Sequence, residues 1–183
     1  MDSSLKKMNF FVEVILTWVG PYHGNSTGGQ AFNDAKDCLL TFNDRISAII
    51  GGGTKSEINY LSFSYSNGKS MTRGKPPVHR EEYRLKLKSN EYIDRVTVYT
   101  GIRQIPNLYK PNGTFLIVGL RFHTNQGRLS ELFGSDNASR QEEFYNGYHL
   151  GYVRGQAEGY VDALQFIWYK NTTRTDTALL PRY

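Results

Sequence analysis

Leu150–Tyr169, LGYVRGQAEGYVDALQFIWY, is the stretch from which the fold is read. In its second half Leu164, Phe166 and Trp168 share one parity, the period-two pattern of a strand, and Asp162 stands just before them at the strand's mouth. Gly155–Gly159 precedes this strand as a turn-prone loop whose glycine leaves backbone amides open to a ligand. A loop with open amides that closes on a fixed carboxylate has the chemistry to grip a polyol. The amides donate to sugar oxygens while Asp162 accepts from neighbouring hydroxyls. A hairpin entrance with a capping aspartate is the plainer reading of the same residues.

The strand has two relatives earlier in the chain. Ile58–Tyr65 (INYLSFSY), Ile117–Thr124 (IVGLRFHT) and Val161–Trp168 (VDALQFIW) each give an apolar residue, two variable positions, Leu, a polar residue and then Phe. Shared Leu and Phe at identical offsets indicate a threefold internal repeat. Aligned this way, Asp162 corresponds to Asn59 and Val118. A hydroxyl acceptor survives only in the first unit, so a second site around Ser56, Glu57 and Asn59 is an open reading beside a structural loop.

A chain of 183 residues, 39% of them hydrophobic, buries one sizeable core and is short for two. The 18 Gly, the 13 Tyr and the absence of sustained helical periodicity point to an all-β protein with many turns and little helix. We divide it into a polar tail (residues 1–8), one domain (9–170) with an extra N-terminal strand at 9–19, and a polar C-terminal arm (171–183). In the N-terminal strand Phe10, Val12, Val14, Leu16 and Trp18 share a parity, as on a half-buried face. Glu13 interrupts this apolar run and no small-residue cleavage site follows, which argues against a signal peptide; the run is too short and polar to span a bilayer.

Val19–Asp34 is rich in Gly, Pro and Asn and reads as a loop. The strands expected after it are Asp37–Phe42, Arg45–Ile50, Glu57–Ser66 and Ser70–Arg73, punctuated by Gly51–Gly53 and by Asn67-Gly68. Tyr83, Leu85 and Leu87 alternate with Arg84, Lys86 and Lys88, and Ile93–Tyr99 follows. A loop holding Pro106 and Pro111 then leads to Phe115–Asn125, Gly127–Phe133 and Glu142–Tyr145.

Lone Cys38 lies in an apolar run and reads as a buried structural thiol, whereas sequons at Asn25, Asn112, Asn137 and Asn171 suit secretion. Localisation, cytoplasmic or secreted, stays open. The net charge of +5 is spread along the chain and no nucleic-acid motif accompanies it. His23, His79, His123 and His149 lack metal-ligand spacing, and no serine or cysteine nucleophile motif is present. The expectation is a protein without catalysis, metal or cofactor. Pairing Glu158 or Asp162 with another carboxylate for glycoside hydrolysis requires a separation that sequence does not give.

Three places together resemble the jacalin-related lectins: GPYHGNSTGG at Gly20–Gly29, FHTNQG at Phe122–Gly127 with Phe133-Gly134, and RGQAEGYVD at Arg154–Asp162. The likeness covers roughly Trp18 to Tyr169. It implies a β-prism I fold, three four-stranded Greek-key sheets about a pseudo-threefold axis. It also implies a sugar site in which Gly29, Gly159 and Tyr160 offer backbone amides and Asp162 accepts from two hydroxyls. With the chain intact at the Gly pair, the resemblance implies mannose- or glucose-type glycans or glycoproteins as ligands. Two departures stand out: Glu158 replaces the family's usual Gly, and Tyr22 its usual Trp.

A rival reading is a β-prism that has lost monosaccharide binding and recognises acidic polysaccharide or a protein partner, with Lys75, His79, Arg80, Arg84, Lys86 and Lys88 gathered on one face. Another is a structural subunit docked through the N-terminal strand and C-terminal arm. Weak single-sugar affinity calls for several copies, so a homo-oligomer or larger assembly is expected.

Overall fold

The computed structural model describes residues 8–54, 57–76, 81–102 and 113–178. In chain order the elements are β1 (Met8–Gly24), β2 (Gln30–Asn33), α1 (Asp34–Asp37), β3 (Ile46–Thr54), β4 (Glu57–Tyr65), β5 (Ser70–Gly74) and β6 (Glu81–Lys86). They continue with β7 (Ile93–Ile102), β8 (Phe115–Thr124), β9 (Phe133–Gly134), β10 (Ser139–Phe144), β11 (His149–Ala157) and β12 (Val161–Ala178). The strands form three antiparallel four-stranded sheets, ordered β1-β12-β11-β2, β10-β7-β8-β9 and β5-β4-β3-β6. The last two are Greek keys in which the fourth strand returns beside the first. The first sheet has the same plan, begun by the C-terminal strands and completed by the N-terminal ones, so both chain ends share one sheet.

The three repeated segments are β4, β8 and β12, an inner strand of each sheet. Leu61, Leu120 and Leu164, and Phe63, Phe122 and Phe166, are all 0% exposed and meet in one core. Burying each such side chain contributes about 1.5–3 kcal/mol, which is why these positions keep one chemistry across three units that otherwise differ. The registers also slip at one equivalent place. Gly52 and Gly53 face Tyr60 and Ile58, Tyr99 and Thr100 face Gly119 and Ile117, and Gln156 and Ala157 face Ala163 and Val161. The residues bulged out are Asn59, Val118 and Asp162, the set aligned from sequence.

Each bulge is closed in the same way. The carbonyls of Asn59, Val118 and Asp162 accept from the amides of Lys75 (3.2 Å), Ser135 (2.9 Å) and Asn25 (2.9 Å). Each donor follows a glycine at φ +80°, +82° or +87°, namely Gly74, Gly134 and Gly24. A Cβ at any of the three would collide with the carbonyl it shelters, so sterics and the left-handed backbone both require glycine here.

Several sequence expectations are corrected. Gly51–Gly53 does not separate strands; it lies inside β3, where a Cβ on Gly51 would sit 2.7 Å from both Leu61 and Phe133. Asp37–Phe42 is not a strand: Asn33 caps the four-residue α1, its Oδ1 accepting from Ala35 N at 3.1 Å, and turns follow. The loop read over Val19–Asp34 shrinks to residues 25–29, because β1 runs to Gly24 and β2 begins at Gln30. Gly155 belongs to β11, paired with Leu164, which leaves only residues 158–160 as the hairpin loop. Gly127–Phe133 holds only a bridge between Leu129 and His123 before β9.

The parity expected to bury one face of the N-terminal strand does not do so at its described end. Leu16 is 42% and Trp18 50% exposed, because β1 is an edge strand whose first half runs beside β12 beyond the core. Asn171–Ala178 of the C-terminal arm continue β12, paired with Ile15–Met8. The loop with Pro106 and Pro111, and also Ser56, His79 and Arg80, lie outside the described residues.

Candidate functional site

The β11–β12 hairpin and the loop after β1 meet at Asp162. Asp162 is the second residue of β12 and, as the bulged residue, is released from the ladder to face the 25–29 loop. A Cβ built on Gly28 would lie 3.1 Å from Asp162 Oδ1, and one on Gly29 would lie 2.5 Å from Oδ2 and 2.8 Å from the Ala157 carbonyl carbon. Gly29 also has φ +63°. The glycine pair therefore lies directly over the carboxylate, and any side chain at Gly29 would drive the two apart.

The expectation of a carboxylate at an open loop mouth is corrected: Asp162 is 0% exposed and both its oxygens are out of reach of solvent. Glu158 occupies the opposite environment, exposed at the hairpin tip with its amide donating to Tyr160 O at 3.1 Å. Gly159 is buried and Tyr160 is 6% exposed, so the hairpin lies folded against the body of the protein. Gly29 thus lies against Asp162, and Gly159 and Tyr160 form the hairpin loop just before β12.

Sequence reading missed the groups that hold these turns. Asn25 Oδ1 accepts from both the amide (3.1 Å) and the hydroxyl (2.8 Å) of Thr27, and Asn25 O accepts from Gly28 N at 3.3 Å. The N-x-T pattern read as a glycan acceptor is, in this loop, an Asx turn, a possibility its residue types already carried. One residue before Gly24, His23 is 3% exposed, and its ring nitrogens face Gln141 Oε1 (2.6 Å) and Glu143 Oε1 (2.5 Å). Trp168 Nε1 donates to Glu143 Oε2 at 2.9 Å, so this buried network ties the root of the loop to β12 and to β10 of the neighbouring sheet. No sequence spacing announces it, since His23 and Glu143 are 120 residues apart.

In the first repeat Glu57 is 8% and Asn59 5% exposed, and Gly53 is packed within 2.9 Å of Asn59 Oδ1, measured from its would-be Cβ. Asn59 Oδ1 is buried and takes no hydrogen bond among the described residues. Val118 fills the equivalent place in the second repeat. A cavity of about 190 Å³ opens between β2 and β5, lined by Gln30, Phe32, Thr72, Arg73 and Ala157 among others.

Other candidates for chemistry are committed elsewhere. Cys38 is 1% exposed, and burial pushes its thiol pKa up, away from the reactive thiolate. Burial likewise lowers the pKa of His149. Among the described residues no three His, Cys, Asp or Glu side chains form a group able to hold a metal ion.

The model of the Jacalin-like lectin domain matches residues 19–167, which takes in all three bulges and both turns of the site. The chain belongs to the jacalin-like lectin family. Solved structures agree on the architecture of this lectin domain. A mannose-binding lectin from champedak superposes with a TM-score of 0.67 at 19% identity, covering 83% of this chain and 96% of that one. Artocarpin in complex with mannopentose gives 0.65 at 20%, covering 84% and 96%. AcmJRL, a mannose-binding jacalin-related lectin from Ananas comosus, gives 0.62 at 17%, covering 84% and 96%. These superpositions show the β-prism fold. No curated protein matches the chain by sequence. Membership of a lectin family supports carbohydrate binding as the class of function.

Proposed function

We propose that this jacalin-like domain is a non-catalytic lectin for mannose- or glucose-type glycans, with its site at Gly29, Gly159, Tyr160 and Asp162. The observation that carries the reading is the contact of Gly29 with Asp162 at the junction of two turns, within a family of lectins. The ring hydroxyls of a mannoside donate to the Asp162 oxygens, while the amides of Gly29, Gly159 and Tyr160 donate to ring and exocyclic oxygens. The mannose-binding neighbours support this sugar class.

Because no solvent reaches the Asp162 carboxylate, the 25–29 loop must lift for these bonds to form. That opening draws on the binding energy, so a single sugar binds weakly, with Kd on the order of 1 mM. Useful avidity then comes from several copies, in a homo-oligomer or larger assembly. In this scheme Glu57 and Asn59, with Ser56, are a subsidiary site.

The same burial favours a second reading, a β-prism that no longer binds monosaccharides and serves as an acidic-polysaccharide or protein-interaction module. A glycan array at low and high salt separates the two. Retention of mannosides at both salts supports the lectin reading; retention of sulfated glycans alone, lost at high salt, supports the other.

A further inference from the structure

We propose that the outer face of the second sheet is a separate binding site for the sulfate or carboxylate groups of an acidic glycan, with Arg121 as its principal anion donor. The register builds this face. On β7, Arg95 lies opposite His123 of β8 and Phe144 of β10, Thr97 opposite Arg121 and Glu142, and Tyr99 opposite Gly119 and Arg140. Arg95, Arg121 and Arg140 therefore stand on three strands spaced roughly 5 Å apart.

Their charges are not balanced. Glu142 Oε1 takes Arg140 Nη2 at 3.1 Å, Arg95 Nη1 at 3.7 Å and the Thr97 hydroxyl at 3.4 Å. Asp94 also bears on His123. Arg121 makes no hydrogen bond or ion pair with any described residue, and its Nε–H is buried without an acceptor. A buried donor left unmade is costly; Arg121 is half-buried, and an oxyanion that draws its guanidinium outward removes that cost while adding a charge-assisted pair.

The surroundings select the kind of anion. The face is a pleated strand surface, suited to an extended ligand more than to an enclosed small molecule. Arg95 stacks over the Phe144 ring at 4.9 Å, and Phe144 is 48% exposed, so an apolar platform for a sugar face stands beside the guanidinium row. The basic strip read from sequence on β6 is a poorer candidate. There Arg84 is already paired with Glu82, and its neighbours Lys86 and Lys88 are exposed flexible cations. The Arg121 face does not depend on the Gly29–Asp162 site.

His123 supplies a reporter. Burial lowers its pKa and the Arg95 charge adds to this; Glu142 and Asp94 act against it, and Arg121 contributes a smaller lowering. A bound sulfate neutralises those arginines, so the His123 pKa rises on binding. The test measures binding of a heparin-derived tetrasaccharide and of inorganic sulfate to the full chain, with NMR titration of His123. The expected result is that Arg121→Gln weakens the tetrasaccharide about tenfold and Arg95→Gln changes it in the same direction, whereas Lys86→Gln stays within about twofold. Asp162→Asn leaves it unchanged. Equal losses in Arg121→Gln and Lys86→Gln, no binding by the parent chain, or an unmoved His123 would overturn the site. Inorganic sulfate binding as tightly as the tetrasaccharide would overturn its assignment to a glycan.

Discussion

Gly29 and Asp162 are fitted to each other: a single methyl group on Gly29 would stand 2.5 Å from Asp162 Oδ2, and the φ of +63° that brings the backbone so close is one only glycine adopts freely. A Gly29→Ala chain should therefore lose mannoside binding and about 1–2 kcal/mol of stability. Calorimetric titration and thermal melting check the two effects separately. Gly68→Ala, at φ +82° with nothing within 4 Å of the added carbon, should cost stability but leave binding intact.

The threefold core predicts equivalent costs in three sheets. Leu61→Ala, Leu120→Ala and Leu164→Ala each empty a fully buried site and should each cost about 3 kcal/mol in urea unfolding. A near-zero cost at any one of them would mean that its sheet does not share the common core.

Acid should weaken the fold through Glu91. This carboxylate is buried; burial acts to raise its pKa, but Arg128, the Lys88 amide and the Thr124 hydroxyl outweigh it and hold the pKa at about 2. The folded value lies below the ordinary glutamate value of 4.5, so the contribution is complete above that pH and is lost as pH falls towards about 2. Its upper size is roughly 3 kcal/mol. Unfolding free energies of the parent chain and Glu91→Gln, compared between pH 7 and pH 3, should converge as pH falls; a constant gap would contradict this.

His23 and Glu143 brace the loop root across two sheets, with 2.5 Å between Nε2 and Oε1. His23→Leu leaves the Glu143 carboxylate buried with fewer partners and should cost about 3 kcal/mol. Mannoside affinity should fall with it, because Gly24 follows directly and shelters the Asp162 carbonyl. Urea unfolding followed by titration at a temperature where the variant is fully folded checks both effects.

The repeats were legible because burial leaves Leu61, Leu120 and Leu164 and their Phe partners almost no chemical freedom. The alignment of Asp162 with Asn59 and Val118 was legible for the same reason, since core residues on either side fix the bulge. Glycine was the misleading signal. Gly51–Gly53 punctuates a chain in sequence, yet in β3 the missing side chains make room for Leu61 and Phe133. The position of Asp162 just before a strand reads as a mouth. Its burial depends on the 25–29 loop, held by the Asn25–Thr27 turn and by His23, whose partner lies far along the chain.

Asp162→Asn keeps the size of the side chain and one of its two acceptors while removing the charge, so the bulge and both turns persist. Calorimetric titration of the parent and this variant with methyl α-mannoside is the most direct measurement. The account predicts millimolar binding by the parent and none measurable in the variant, with melting temperatures a few degrees apart. Equal binding by the two chains would contradict it.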